Sequence, residues 1–226
     1  MNFIEANTAT EAFEYWFNIL NSQNLNATSR DGGVKGEVLN AITVIKDPTR
    51  GIVQSDIRKM PMRYAVGELI WYLSGNPSLK AIQNYTKAWD RMSDDGVVVN
   101  SNYGWCINHK YGFNQWEYVK SLLAADKNTR QAVLHIKTAD DNPSKDVNCT
   151  VCLQFLLREN KLHATVYMRS NDIWMGFPYD VFSFTALQVK MAMELGVDIG
   201  TYTHIAGSLH LYERNGIDGE NTAESV

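Results

Sequence analysis

Three groups that could act on one ligand lie within residues 148–182. Cys149 is a candidate nucleophile, because a thiolate attacks electron-poor carbon readily. Arg169-Ser170 offers a guanidinium fork and a hydroxyl, a combination that suits phosphate oxygens. Asp180 is a lone carboxylate that follows a proline turn and precedes an apolar helix. The structural alternatives are a core cysteine, a surface arginine and a helix N-cap.

Further candidates lie outside that stretch. Glu68 belongs to a strongly apolar helical segment, so it lies either at the rim of the helix or buried with a partner. His210 and Tyr212 are two residues apart and would share one face of a strand, where they could bind one ligand or pair in the core. Arg30 lies in a polar, Gly-rich segment. This segment is either a solvated turn or a flexible loop that brings Arg30 to an anion.

Cys149 and Cys152 form a C-x-x-C pair. A redox or metal function would need both sulfur atoms on the same face of the strand. Side chains three positions apart in a strand point to opposite faces. The sequence has no second Cys or His pair at zinc spacing. We therefore expect no metal, with one cysteine facing a site and the other packed in the core.

The elements that must position these residues follow from hydrophobic periodicity and turn signals. Helices are predicted over 8–21, 62–74, 78–91, 114–125 and 182–195. Strands are predicted over 37–45, 132–136, 149–157, 162–168 and 201–206, with a hairpin-like turn at 158–161. Loops are predicted over 22–36 and 139–147, a polar-aromatic turn over 100–105, and a mobile polar tail over 213–226.

The composition favours one globular domain over residues 1–226. A net charge of −4 argues against direct nucleic-acid binding, although a few converging arginines can still hold a phosphate. We expect no membrane association, because no apolar run approaches the roughly 20 residues of a membrane span. The N-terminus does not resemble a signal peptide, and three cysteines imply no disulfide framework. We therefore expect a cytoplasmic protein, in the host cytoplasm if a phage encodes it.

Taken together, the motifs resemble the thymidylate synthase family, in the family's order and over most of the chain. Cys149 with Gln154-Phe155 resembles its nucleophile strand, and Glu68 with the residues after it resembles its catalytic-glutamate helix. The remaining matches are Arg169-Ser170-x-Asp172 with Gly176-Phe177-Pro178-Tyr179-Asp180, similar to its phosphate and base-recognition segment, and Gly207-Ser208-Leu209-His210-Leu211-Tyr212, similar to its ribose-binding segment.

The resemblance implies an α+β fold in which a large mixed β-sheet is packed with helices and uses one sheet face for dimerisation. It places Arg30 and Arg130 at the phosphate, with Arg130 reaching across a homodimer interface. Trp89, Asp172 and Gly176 fall where the family contacts its co-substrate, 5,10-methylenetetrahydrofolate. Tyr103 would assist with the carbon-5 proton of the base.

Some positions depart from synthases that act on deoxyuridylate (dUMP). Asp180 replaces their Asn, and Thr150 replaces their usual His, as in the phage deoxycytidylate (dCMP) hydroxymethylases of the family. Segments 100–105, 168–172 and 207–210 share that likeness. Gln131 stands where the family usually has a second arginine after Arg130, and the segment after Tyr212 is short for folate closure.

The Asp at position 180 has a chemical interpretation. Cytosine presents a bare ring nitrogen and an exocyclic amine on the edge that this residue would read. A protonated carboxyl can donate to that nitrogen and accept from the amine, and apolar surroundings raise a carboxyl pKa. An ionised carboxyl can accept a hydrogen bond from the amine, and also from the ring nitrogen once that nitrogen is protonated. The interpretation favours dCMP.

The resemblance implies a reaction for these residues. Cys149 adds to carbon 6 of the base, with a pKa that nearby arginines are expected to lower. Carbon 5 then takes the one-carbon unit from the folate, and water completes 5-hydroxymethyl-dCMP. Glu68 is expected to organise the proton transfers and that water. The alternatives are a methylating relative acting on dCMP or dUMP, and a nucleotide-binding homologue without turnover.

Overall fold

The computed structural model describes residues 2–141 and 144–217, which form a mixed β-sheet packed with helices. The eight strands are β1 Phe3–Ala6, β2 Ala27–Ser29, β3 Gly32–Ile45, β4 Val133–His135, β5 Thr150–Arg158, β6 Lys161–Met168, β7 Asn171–Asp172 and β8 Asp198–Tyr212. Their order is β1-β3-β8-β6-β5-β4, with β2 beside β3 and β7 beside β8. The β3–β8 pair is antiparallel and the β6–β8 pair is parallel, so the predicted mixed sheet is confirmed.

The helices of the described residues are α1 Ala9–Asn21, α2 Met62–Ser74, α3 Leu79–Gln83, α4 Tyr103–Asn108, α5 Gln115–Ala125 and α6 Phe177–Leu195. The apolar sides of α1 and α6 pack against the long strands β3, β6 and β8. Trp16, Phe13 and Phe184 are fully buried in that layer. The predicted α+β class is therefore confirmed.

The strands bury one set of alternate side chains. In β6, Leu162, Ala164, Val166 and Met168 are buried, while Tyr167 between them is exposed. This alternation is typical of a sheet with one face on the core and one face open. The open face is the surface on which the predicted dimerisation would occur.

Several elements form as the sequence predicted. The helix α2 has the predicted bounds, and α1 begins after Thr8, whose hydroxyl caps it by accepting a hydrogen bond from the Glu11 amide at 3.2 Å. The β5–β6 connection is a tight hairpin turn in which Glu159 and Asn160 both have positive φ. Two such residues are the signature of a two-residue β-hairpin.

The predicted loop 22–36 is wrong in part, because it contains the hairpin β2–β3. Glycines concealed this strand, since they lower β-propensity. At Gly36 the glycine is needed for space: a Cβ there would lie 2.2 Å from the Leu20 carbonyl oxygen. The strand therefore runs against the end of α1, a contact that local sequence does not reveal.

Other boundaries differ from the predictions. The predicted helix 78–91 is split into α3 and a 3-10 turn at Ala88–Arg91, and β8 is longer than the predicted strand 201–206. The predicted turn 100–105 contains the start of α4, where the Asn102 side chain accepts from the Trp105 amide at 2.6 Å. The helix α6 begins five residues earlier than predicted, because Pro178 occupies its first turn, where proline is favoured.

The chain end packs back on the fold as far as it is described. Glu213–Asn215 forms a 3-10 turn, and the Ile217 amide donates to the Asn21 side chain at 2.9 Å. The rest of the predicted mobile tail, 218–226, lies outside the described residues. Within the described ranges, no helix has the length and apolar character that crossing a membrane requires.

Candidate active site

A cleft of about 370 Å³ opens at one end of the sheet, where β8, the β2–β3 turn and the ends of β5 and β6 meet. This volume suits a small-molecule ligand. The predicted site residues that line it are Arg30, Cys149, Arg169, Ser170, Asp172, His210 and Tyr212. Residues from four distant parts of the sequence therefore share one cavity.

The β5–β6 ladder places Cys149 beside Arg169. The Arg169 amide donates to the Cys149 carbonyl at 2.8 Å. The Arg169 guanidinium also binds the preceding backbone, with Nε 3.1 Å from the Asn148 carbonyl and Nη2 2.8 Å from that of Val147. These bonds fix the segment that presents the thiol, and Arg169 has further N–H donors that an anion can use.

The pKa of Cys149 was expected to fall, and this expectation is wrong for the free chain. Burial raises the pKa of the thiol to about 11, and the positive charges of Arg169 and Arg30 only partly oppose that rise. Asp180 and Asp146 raise it further. Desolvation of the thiolate outweighs the arginines, so the group is a protonated thiol at neutral pH and must give its proton to an acceptor when it attacks.

The other cysteine of the pair, Cys152, lies on β5 and has a pKa raised by burial. Both are free thiols, as is Cys106. Within residues 2–141 and 144–217, no group of three or more His, Cys, Asp or Glu side chains could hold a metal ion.

Glu68 is buried in α2, with only 4% of its surface exposed, so the rim alternative is wrong. Burial raises its pKa to about 8. Hydrogen bonds from Tyr64 and Tyr72 oppose that shift, and the negative charge of Asp180 adds to it. The Tyr64 hydroxyl donates to the Glu68 carboxylate and accepts from Trp89 Nε1 at 3.2 Å. Tyr64 was not predicted from the sequence, although it lies one helical turn before Glu68.

Asp180 lies inside the first turn of α6, where its amide donates to the Gly176 carbonyl at 3.0 Å. Gly176 occupies the N-cap, so the N-cap alternative for Asp180 is wrong. Burial raises the pKa of Asp180 to about 7, against the opposing effect of a hydrogen bond from Asn171. The Asn171 amide nitrogen lies 2.8 Å from Asp180 Oδ2.

Tyr103 begins α4 and is buried between the rings of Tyr72 and Phe184, with centroid distances of 4.9 and 5.5 Å. Burial, followed by the negative charges of Asp180 and Cys149, raises its pKa well above the ordinary value of a phenol. The charge of Asp180 therefore acts on both Tyr103 and Cys149. The hydroxyl of Tyr103 is therefore neutral at physiological pH.

Two residues at the far end of the cleft come from β8. His210 and Tyr212 face the cavity together, with their rings 5.0 Å apart at an angle of 80°. Ser208 Oγ lies 3.4 Å from His210 Nδ1, and Ser29 Oγ donates to the Tyr212 hydroxyl at 3.4 Å. The β3–β8 ladder thus carries both rings to the same side as the β2–β3 turn that holds Arg30.

The three residues predicted to bind folate have different positions. Trp89 is partly buried beside Tyr64, outside the cleft lining. Asp172 lines the cleft, and its Oδ1 accepts from the Trp174 and Met175 amides at 2.8 and 3.2 Å. Gly176 lies under Asp180: a Cβ there would be 3.3 Å from Asp180 Oδ2.

Six predicted residues do not line the cleft: Glu68, Trp89, Tyr103, Arg130, Gly176 and Asp180. The Arg130 side chain is exposed, three residues before β4. Its carbonyl accepts from Gln154 Nε2 at 3.0 Å.

Sequence reasoning missed four charged residues of the cleft: Asp31, Arg91, Asp146 and Arg214. Arg91 and Arg214 line it beside Arg30 and Arg169, and the Arg214 guanidinium lies 4.3 Å from the Tyr212 ring centroid. Asp146 also lines it: burial raises its pKa, and a hydrogen bond from Ser101 opposes that rise. None belongs to a motif that the sequence alone would single out.

Comparison with known proteins agrees with this arrangement. The family model described as "Thymidylate synthase" matches residues 20–221. The deoxyuridylate hydroxymethyltransferase of Bacillus phage SP01 is similar, with 33% identity over 191 residues that cover 78% of this chain and 50% of that protein. The chain thus spans about half the length of this curated relative. By the extent of the match and the motifs that it covers, the chain belongs to the thymidylate synthase family.

Proposed function

We propose that this chain transfers a one-carbon unit from 5,10-methylenetetrahydrofolate to carbon 5 of dCMP, with water completing 5-hydroxymethyl-dCMP. Members of the thymidylate synthase family transfer such a unit from that folate to a pyrimidine nucleotide. One observation carries the proposal: the charge of Asp180 acts on Cys149, Tyr103 and Glu68, and Cys149 opens onto a cleft lined by arginines. Perturbed groups that converge in this way mark candidate catalytic sites.

The arginines supply a site for the phosphate. Arg30, Arg91, Arg169 and Arg214 line the cleft together with Ser170. Guanidinium groups bind phosphate oxygens in pairs of parallel hydrogen bonds, which fixes the orientation of the nucleotide. His210 and Tyr212, which also line the cleft, are the candidates for contact with the sugar.

The thiol of Cys149 forms the bond to carbon 6. Because its pKa is about 11, it is uncharged until it attacks, and its proton must pass to a neighbouring acceptor. Asp146 is the candidate acceptor, because its charge acts on this thiol and it lines the same cleft, whereas Asp180 is assigned to the base in its protonated form. The covalent bond makes carbon 5 nucleophilic.

Glu68 is suited to exchange protons near neutral pH, because its pKa of about 8 leaves both forms populated. Tyr64 and Trp89 hold its carboxyl in one orientation through successive hydrogen bonds. We assign to Glu68 the placement of the water that completes the hydroxymethyl group. The neutral hydroxyl of Tyr103 assists at carbon 5 as a hydrogen-bonding group rather than as a base.

The residues fit a flat folate at the open side of the cleft. Trp89 is partly exposed, and its N–H is tied to the Tyr64–Glu68 pair. Met175 is 52% exposed on the cleft wall beside Asp172. An aromatic ring and a thioether suit the face of a heteroaromatic ring. When bound, the folate supplies the one-carbon unit.

A second candidate substrate is dUMP, because the SP01 relative is named for deoxyuridylate. A protonated carboxyl is both donor and acceptor, so Asp180 can also pair with uracil if its two oxygens exchange roles. The argument that a carboxyl by itself selects cytosine is therefore incomplete. The likeness of Asp180 and Thr150 to the dCMP-specific pattern keeps dCMP first.

One assay tests the proposal. The chain is incubated with methylenetetrahydrofolate and either dCMP or dUMP, and the nucleotide product is weighed by mass spectrometry. We expect dCMP to gain one CH₂O unit without formation of dihydrofolate. A gain of one CH₂ unit with dihydrofolate would identify a methylating enzyme. Tight nucleotide binding without any product would identify a binding homologue.

We also propose that the chain works as a homodimer through the open sheet face, with Arg130 completing the partner's phosphate site. Two observations support this. Leu39 and Tyr167, both on sheet strands, are 57% and 39% exposed. Arg130 lies outside the cleft of its own chain, so its assigned contact requires a second subunit.

A further inference from the structure

We propose that Asn171, His204 and Tyr202 form a hydrogen-bonded positioning chain that decides which oxygen of Asp180 carries a proton, and thereby decides between cytosine and uracil. The inference rests on the proposed binding of a pyrimidine base at Asp180. The three residues are buried, whereas Asp180 is partly exposed, so they act through Asp180.

The chain is continuous and buried. Tyr202 is fully buried, and His204 and Asn171 are exposed by only 1% and 3%. The Tyr202 hydroxyl lies 2.9 Å from His204 Nδ1, and His204 Nε2 lies 3.0 Å from Asn171 Oδ1. The Asn171 amide nitrogen then lies 2.8 Å from Asp180 Oδ2. Buried polar groups need such partners, because water does not reach them.

Which atom donates and which accepts in each of these hydrogen bonds is set by the contact between Asn171 and Asp180. The Asn171 NH₂ group faces Asp180 Oδ2 and its oxygen faces His204, which is the orientation that an ionised carboxylate requires because it only accepts. His204 Nε2 must then carry the ring proton, which leaves Nδ1 to accept from Tyr202. A neutral ring is required for this pattern, and burial lowers the pKa of His204 to about 3.

A glycine makes room for the contact between Asn171 and Asp180. A Cβ at Gly176 would lie 2.7 Å from the Asn171 amide nitrogen and 3.3 Å from Asp180 Oδ2. Gly176 has φ −103, a value open to any residue, so space and not backbone conformation requires the glycine here. The turn before α6 is therefore shaped around this hydrogen bond.

Because the hydrogen bonds of the chain run in one direction, one oxygen of the Asp180 carboxyl is fixed as the acceptor and the other as the site of the proton. The Asn171 NH₂ group already occupies Oδ2, so a proton that binds Asp180 enters at Oδ1. Cytosine needs an acceptor opposite its amine and a donor opposite its ring nitrogen, and uracil needs the reverse order. A carboxyl held in one polarity matches one base, whereas a carboxyl free to exchange its oxygens accepts both.

The test compares dissociation constants of dCMP and dUMP by calorimetry for the wild type, Asn171→Leu and Tyr202→Phe. We expect the preference for one base to fall by about tenfold or more in Asn171→Leu, the scale of discrimination lost with a base-reading pair. Tyr202→Phe removes a single hydroxyl and should shift the ratio in the same direction by less. Thr43→Val is the matched control, because Thr43 is buried and pairs with His204 across β3 and β8 without joining the chain.

A second readout follows the His204 ring directly. Nitrogen-15 NMR should show the proton on Nε2 in the wild type and a mixture of tautomers in Tyr202→Phe. An unchanged nucleotide ratio in both folded variants, or a proton on Nδ1 in the wild type, would overturn the inference. If neither nucleotide binds the wild type, both the proposed function and the role in base choice are refuted. The His204 tautomer would still report which atoms donate and accept in the hydrogen-bonded chain.

Discussion

Tyr64 and Glu68 lie one turn apart on α2, and the Tyr64 hydroxyl donates a hydrogen bond to the buried Glu68 carboxylate. This bond lowers the Glu68 pKa, although burial leaves it raised to about 8. Trp89 holds the other side of the Tyr64 oxygen at 3.2 Å. The candidate proton-transfer group therefore depends on a tyrosine that no family motif named.

Tyr64→Phe removes the donor and should raise the Glu68 pKa. The ionisation that Glu68 contributes to the pH profile of kcat should move to higher pH, and kcat should fall by about tenfold. Steady-state rates from pH 6 to 9.5 test this. Tyr118→Phe, on the exposed side of α5, is the control and should behave as wild type. An unshifted profile in Tyr64→Phe would show that the hydroxyl does not influence Glu68.

Glu68→Gln should abolish turnover and yet stabilise the fold at alkaline pH. The folded pKa of about 8 lies above the ordinary 4.5, so protonated Glu68 favours folding and that contribution is lost as pH rises from about 4.5 to 8. Gln has no such loss. We expect the gain of the variant over wild type to grow through that window by roughly 4 kcal/mol. Denaturant unfolding at pH 5 and pH 8.5 measures it, and a gain that does not depend on pH would contradict the assignment.

Cys149→Ala should eliminate turnover while the dissociation constant of the nucleotide changes by less than about threefold, because only the covalent step is lost. Cys152→Ala, three residues further along in β5, is the matched control and should keep its activity. Mass spectrometry of the products and calorimetry together separate the two effects. Formation of product by Cys149→Ala would show that Cys149 is not the nucleophile.

Asp180→Asn should shift nucleotide preference from dCMP toward dUMP by about 100-fold, because an amide offers a permanent donor to the uracil oxygen. The variant should also lose the pH dependence of binding. In the wild type the base pairs with a protonated carboxyl of pKa about 7, so affinity should fall as pH rises from 6 to 8.5. Binding to both nucleotides at these two pH values provides the measurement. If preference and pH dependence stay as in wild type, Asp180 does not read the base.

Mixing two inactive variants tests the shared site. If Arg130 serves the partner's cleft, a mixed dimer of Cys149→Ala and Arg130→Ala contains one site with both residues intact. Random exchange of subunits should then restore about a quarter of the wild-type activity. Each variant is also mixed with itself, as the control. No recovery, despite exchange shown by native mass spectrometry, would place Arg130 outside the partner's site.

The residues that sequence analysis located best lie in elements with a strong local pattern. The helix α2 has the bounds that its periodicity predicted, and Cys149, Arg169 and His210 reach one cleft through strand pairing. Asp180 was placed before its helix because Pro178 was interpreted as a turn, although proline also starts helices.

The quantities that the sequence could not supply depend on tertiary packing. The pKa of Cys149 is set by burial against two arginines, and only the fold determines which effect is larger. The bond between His204 and Asn171 joins residues 33 positions apart, which the β7–β8 pairing brings together. Histidine and asparagine in strand-like segments give no sequence signal of that contact.

The strand β8 carries Tyr202 and His204 behind the candidate base site and, further along, His210 and Tyr212 in the cleft. Inserting or deleting one residue between these pairs would turn one of them to the opposite face of the sheet. The spacing along this one strand therefore fixes the residues behind Asp180 relative to those in the cleft, so we expect exchanges of single side chains on β8 to be tolerated better than changes in its length.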